Sequence, residues 1–114
     1  MNKEILYVIA IFSVAQCIVW FQLNLQFFWD DFTKYIIPIS FIVGGIASYL
    51  FINGYRLCYE AFDGKVWPSR ILGFSSGIII FAFLTWFVLG EGITFKVGVC
   101  LFLAFIIILV QIFL

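Results

Sequence analysis

The sequence contains no histidine, and its single methionine is Met1. Histidine is the commonest zinc ligand, and histidine and methionine are the usual axial ligands of haem. The three cysteines, Cys17, Cys58 and Cys100, are odd in number and far apart, a pattern that fits neither a disulfide framework nor a Cys-x-x-Cys metal pair. The sequence therefore predicts no metal site and no cofactor.

Charged residues are also scarce, at 11% of the 114 residues, whereas average globular chains carry about a quarter. Six basic side chains balance six acidic ones without a basic tract or an acidic tail, so nucleic acid is not an expected partner. Hydrophobic residues make up 66% of the chain, and the mean hydropathy is +1.23. So few charges cannot cover a water-facing surface, and the composition predicts an integral membrane protein surrounded by lipid.

Four apolar segments lie at about residues 5–28, 36–58, 71–89 and 97–114. Each is close to the roughly 20 residues that a helix needs to cross the hydrocarbon core. Because a backbone in lipid must pair its own polar groups, these segments are predicted to be helices. The expected fold is a single integral membrane domain over residues 1–114, an all-α bundle of four transmembrane helices, with its first span retained rather than cleaved.

The basic residues predict the orientation. One side of the membrane receives Lys3, Arg56, Lys65 and Arg70, and the other receives Lys34 and Lys96. Because basic residues accumulate on the cytoplasmic side, this bias places both termini in the cytoplasm.

The first span carries polar residues at helical spacing. Ser13, Gln16, Trp20 and Asn24 follow one another at intervals of three or four and so share one face of a helix. Together with Ser48 of the second span they form the predicted substrate-binding set. Gln16 admits two interpretations: a hydrogen bond to a neighbouring helix, or a place in the wall of a ligand cavity.

Small residues form stripes on two other spans. Gly44 lies between two serines at spacings of four in the second span, and Gly73 and Gly77 form a GxxxG motif in the third. Such stripes allow helix backbones to approach each other closely. The three glycines are therefore predicted helix-packing positions.

Catalytic groups are missing from the spans. No carboxylate falls at a span centre, where an intramembrane acid would by default indicate a functional site. The sequence also lacks a Ser/His or Cys/His pairing, a phosphate-binding glycine loop and a paired-carboxylate site. No enzymatic activity and no catalytic residue are predicted.

Two stretches resemble the small multidrug resistance family and the wider drug/metabolite transporter superfamily. "WPSRILGFSSGIIIFAFLTWFVLGEGITFK" is similar to their segment from helix three to helix four, with Gly77, Trp86 and the "LGE" turn at Leu89–Glu91. "AQCIVW" resembles their first helix and puts Gln16 where the family has a membrane-embedded glutamate. The resemblance implies a dimeric transporter in a bacterial inner membrane, but an amide cannot release a proton, so proton coupling at this position is not expected.

Two functions follow from these features. The first is a transporter-like homodimer that moves a small organic or amphiphilic compound along the polar face of the first span. The second is a non-catalytic accessory subunit that packs by its aromatic surface in a larger membrane complex or holds lipid or pigment. An accessible cavity beside Gln16 with uncompensated polar groups would favour transport, whereas direct packing of Gln16 against a backbone carbonyl or a partner side chain would favour the accessory role.

Overall fold

Four long helices account for most of the chain. The computed structural model describes residues 3–114 and contains α1 (Lys3–Asn24), α2 (Ile36–Ala61), α3 (Trp67–Leu84) and α4 (Phe95–Phe113). With the short turns that extend them, all four are long and apolar enough to cross a membrane. No strand occurs in the part of the chain that the structure describes. The predicted fold class, an all-α bundle of four transmembrane helices, is confirmed.

The helices begin at slightly different residues from those predicted. α1 begins at Lys3 rather than near residue 5, and α3 begins at Trp67 rather than near residue 71. Pro68 is compatible with the earlier start of α3, because the first turn of a helix does not need the N–H that proline lacks. At the start of α4, the Oγ1 atom of Thr94 accepts a hydrogen bond of 3.3 Å from the N–H of Val97, a typical N-cap.

The connection between α1 and α2 is helical rather than irregular. Residues Leu25–Phe27, predicted to continue the first span, and Asp30–Tyr35, mostly within the predicted loop "WDDFTK", form two short 3-10 helices. Phe32 of the second is buried at 5% exposure. Lys34 and Asp31 form an exposed ion pair of 3.5 Å, which contributes little to stability at such a position.

The two other connections use left-handed backbone conformations. Between α2 and α3, Asp63 has a φ of 58° and Gly64 a φ of 79°, and the N–H of Gly64 donates to the carbonyl of Tyr59 at 2.8 Å. After α3 the helix widens into a single π-helical turn over Thr85–Leu89, which ends at Gly90 with a φ of 71°. Glycine ends a helix in this way without steric cost.

α3 contacts all three of the other helices, α1, α2 and α4. α1 also contacts α2. Within the described residues, no Cα atom of α4 lies within 8 Å of a Cα atom of α1 or α2. The Cα atoms extend over 45 × 35 × 19 Å, so the bundle is flattened, and large apolar side chains such as Phe41 and Phe95 are exposed at its surface. In a membrane protein these side chains face lipid or partner helices.

The densest packing lies at the end of the bundle where α1 begins. Val8 and Phe12 of α1, Cys58 of α2 and Leu72 of α3 are all at most 2% exposed and form one cluster. α1 and α2 approach closely here, because a Cβ atom on Gly54 would lie only 2.8 Å from the Phe12 ring. This contact fixes α1 against α2 and leaves the middle of α1 to face α3.

Candidate functional site

Gln16 lies near the middle of the first span, Lys3–Phe27, and joins α1 to α3. Its Nε2 atom donates a hydrogen bond of 3.0 Å to the backbone carbonyl of Gly73. The hydroxyl of Ser76 donates to the same carbonyl at 3.1 Å. An amide in the hydrocarbon region needs such a partner. The hydrogen bond to Gly73 therefore supports the interpretation of Gln16 as a packing contact between helices.

Gly77 provides the room for this amide. A Cβ atom at position 77 would lie 2.9 Å from both Cδ and Nε2 of Gln16 and 3.0 Å from Oε1. Gly73, the other member of the GxxxG motif, differs: a Cβ atom there would meet nothing within 4 Å. Gly77 thus packs directly against Gln16, whereas Gly73 contributes its carbonyl and borders open space.

That open space is a groove of about 800 Å³ between α1, α2 and α3, which we call the Gln16 groove. Its walls are Gln16 of α1; Phe51, Ile52 and Tyr55 of α2; and Arg70, Gly73, Phe74, Gly77, Ile78 and Phe81 of α3. The α3 residues recur at spacings of three and four and so form one face of that helix. The volume is within the roughly 300–1,000 Å³ typical of ligand sites.

The groove has an uneven distribution of polar groups. Gln16 and Arg70 are its strongly polar side chains, and no carboxylate lines it. Arg70 is exposed in the first turn of α3 and forms no ion pair or hydrogen bond with another side chain of residues 3–114. Phe81 lies three helical turns further along α3. The groove therefore runs from a cation at one end, past an amide, to an aromatic end.

Trp20 and Asn24, two of the predicted substrate-binding residues, use their polar groups within the protein. The indole N–H of Trp20 donates to the hydroxyl of Thr85 at 3.0 Å, at a buried position. The Nδ2 atom of Asn24 donates to the carbonyl of Trp20, also at 3.0 Å. Both side chains are buried, and neither lines the Gln16 groove. Trp20 connects α1 to the π-helical turn that follows α3, whereas the Asn24 bond lies within α1.

Ser13 and Ser48 also lie away from the groove walls. Ser13 is half-buried on α1 and Ser48 is exposed on α2. The structure therefore brings only Gln16 of the predicted substrate-binding set into the groove, and a binding role for the other members stays a prediction. Gly44 makes an ordinary contact with its neighbour, since a Cβ atom there would lie 3.4 Å from Nε2 of Gln22.

Sequence reasoning did not identify most of the groove. Phe51 and Tyr55 on α2, and Arg70, Phe74 and Phe81 on α3, line it without having been selected as site residues. The signal available was their spacing, because each set repeats at three, four or seven residues along its own helix. In a chain with 16 phenylalanines such a pattern has little power to single out one face.

The groove is lined by a few polar groups among apolar ones. Among the described residues, no cluster of three or more His, Cys, Asp or Glu side chains has the arrangement of a metal site. The groove presents an amide, a guanidinium group, a phenol and apolar rings. These groups suit an amphiphilic ligand with one polar end. Comparison with known protein families, curated proteins and solved structures gives no match to this chain, so its resemblance to the small multidrug resistance family stays a prediction from sequence.

Proposed function

We propose that this membrane protein is a transporter-like carrier of a small amphiphile, which it binds in the Gln16 groove. The observation that supports the proposal is the groove itself: about 800 Å³ of space beside a polar side chain at mid-membrane. An amide that only served packing would need no such space next to it. An apolar wall with few polar groups is the usual composition of a ligand site.

Transport in this proposal does not use a proton at residue 16. The amide of Gln16 neither gains nor loses a proton at physiological pH, and no carboxylate lines the groove. A ligand would bind by burial of its apolar part and by hydrogen bonds. The carrier would then equilibrate its ligand between leaflets or take its driving force from elsewhere.

A second copy of the chain completes the proposed carrier. In a single copy of this flattened bundle the groove is open on one side: it lies between α1, α2 and α3, and no residue of α4 lines it. A homodimer would place protein on the open side and shield the polar end of a ligand from lipid. The proposed setting is a bacterial inner membrane, which the resemblance implies. The excess of basic residues on one side places both termini in the cytoplasm.

The experiment is lipid transfer in proteoliposomes. The purified protein is reconstituted with fluorescent phosphatidylglycerol or phosphatidylcholine, and externally added dithionite bleaches the probe as it reaches the outer leaflet. We expect the wild type to accelerate bleaching over protein-free liposomes, and Gln16→Ala to slow it. The matched control is Gln111→Ala, which removes an amide from α4, outside the groove. Transfer no faster than in protein-free liposomes for both probes would contradict the proposal.

The accessory-subunit function is the second candidate, and the Gln16–Gly73 hydrogen bond favours it. That bond lets the amide act as a contact between helices, so that the polar residue needs no ligand. α4 is available to a partner, because among the described helices its backbone approaches only that of α3 and many of its large apolar side chains are exposed. Purification from native membranes in a mild detergent tests this function: a stoichiometric set of other membrane subunits supports it, and a homodimer free of other subunits contradicts it.

A further inference from the structure

The groove combines one unpaired cation with an otherwise apolar wall. Arg70 is the single charged residue among those that line it. Its guanidinium group has no carboxylate partner among residues 3–114, whereas Lys34 in the first connection is paired with Asp31. A cation without an internal partner is available to an anion from outside the chain. Guanidinium groups bind phosphate and carboxylate through two parallel hydrogen bonds.

The positions of Arg70 and Phe81 along α3 define how a bound molecule would be oriented in the groove. Arg70 lies in the first turn of α3, near the start of the candidate span Trp67–Leu89, and Phe81 lies eleven residues later in the same wall. At 1.5 Å per residue the groove follows α3 for about 16 Å. Gln16 faces α3 between them, at Gly73 and Gly77. Its amide keeps an acceptor oxygen and a second N–H for a ligand hydroxyl or ester.

We infer that the ligand of the Gln16 groove is an anionic lipid. Its anionic headgroup pairs with Arg70, its polar backbone region lies beside Gln16, and its chain lies against Phe74, Ile78 and Phe81. The inference rests on the proposed function, since it names the substrate class of the same groove. Charge complementarity decides the class: a cationic amphiphile would place its charge beside Arg70 with no carboxylate in the wall to offset the repulsion.

The test measures binding separately from transport. Fluorescence anisotropy of labelled phosphatidylglycerol and phosphatidylcholine, with identical chains, reports binding to the detergent-purified protein. We expect the wild type to prefer phosphatidylglycerol roughly fivefold, the effect of one close cation–anion contact near a membrane surface. Arg70→Gln should abolish the preference, and Arg70→Lys should retain part of it because the charge remains.

Arg56→Gln is the matched control. Arg56 is an exposed cation near the end of α2, bonded to Asn53 at 2.6 Å, and does not line the groove. Arg56→Gln should leave the binding preference for phosphatidylglycerol over phosphatidylcholine within about twofold of the wild-type value. Equal losses in the Arg56 and Arg70 variants would show a general surface attraction and overturn the inference. Equal binding of the two lipids by the wild type would overturn it as well.

Two further experiments distinguish this ligand class from a free anion and from the carrier function. Glycerol phosphate, which has the charge without the chain, should fail to displace labelled phosphatidylglycerol; effective displacement would assign Arg70 to a free anion and overturn the lipid assignment. In proteoliposomes, preferred binding without any lipid transfer would refute the carrier function and leave the ligand class standing. Transfer of both lipids at the same rate, unaffected by Arg70→Gln, would refute the ligand class and leave the carrier function standing.

Discussion

The two glycines of the GxxxG motif should respond in opposite ways to alanine. A methyl group at Gly77 would lie 2.9 Å from Cδ and Nε2 of Gln16, whereas a methyl group at Gly73 would meet nothing within 4 Å. Both substitutions gain the same helix propensity, at most about 1 kcal/mol. Their difference therefore isolates the contact with Gln16, and each variant serves as the control for the other.

The expected difference can be worked out from two terms. The methyl group at position 77 displaces the Gln16 amide and breaks its 3.0 Å hydrogen bond to Gly73, which costs about 0.6–1.7 kcal/mol in a membrane protein. Overpacking adds about 1–3 kcal/mol, at the lower end here because the amide is the end of a flexible side chain. Gly77→Ala should therefore be less stable than Gly73→Ala by about 2 kcal/mol.

The measurement is reversible unfolding in mixed micelles with increasing sodium dodecyl sulfate, followed by tryptophan fluorescence. The same pair is then made in a Gln16→Ala background, where the obstructing amide is gone. There the difference in unfolding free energy between Gly77→Ala and Gly73→Ala should fall below about 0.5 kcal/mol. If Gly73→Ala costs as much as Gly77→Ala, or if the penalty at position 77 persists without Gln16, the assigned contact between α1 and α3 is wrong.

Two further predictions concern the packing of α1. Gly54→Ala would put a methyl group 2.8 Å from the buried Phe12 ring, so the free energy of unfolding should fall by about 1–3 kcal/mol. Gly45→Ala on the same helix meets open space, so in the same titration it should be neutral or stabilise the protein by at most about 1 kcal/mol through helix propensity. Trp20→Phe removes the 3.0 Å hydrogen bond to Thr85 and should lower the free energy of unfolding by about 1 kcal/mol. In a double-mutant cycle with Thr85→Val, most of that energy should be measured as coupling between the two residues. Additive losses of stability in the two single variants would argue against the bond.

Hydropathy was sufficient to predict the number and type of the spans, because four apolar stretches separated by charged loops leave few alternatives in lipid. The helix ends were harder to predict. α3 begins at Trp67, ahead of Pro68 and Arg70, where the polar residues "PSR" suggest a loop. Proline is acceptable in a first turn, and Arg70 can extend to the interface, so composition alone places such a boundary a turn too late.

The contacts between helices could be predicted only in part. The sequence placed Gln16, Trp20 and Asn24 on one face of α1, and the structure gives each of them a hydrogen bond within the protein. A polar residue inside a membrane must find a partner in any case, so its presence alone does not reveal whether that partner is a helix or a ligand. Which of the two it is depends on the residues that face it in the folded protein. The partner of Gln16 lies 57 positions away in the sequence, and the partner of Trp20 lies 65 positions away.

Open space beside a polar group is what distinguishes a ligand-binding role from a packing role. That space depends on the tertiary structure and cannot be read from the sequence. Trp20 is 2% exposed and donates its single N–H to Thr85, so its polar group is used in packing. Gln16 is also bonded, yet Gly73 beside it has open space where a side chain would be. One hydrogen bond engages a single N–H of an amide that can make more. Gln16 can therefore hold α1 against α3 and still bind a ligand in the groove, and the two roles that look exclusive in the sequence are compatible in the structure.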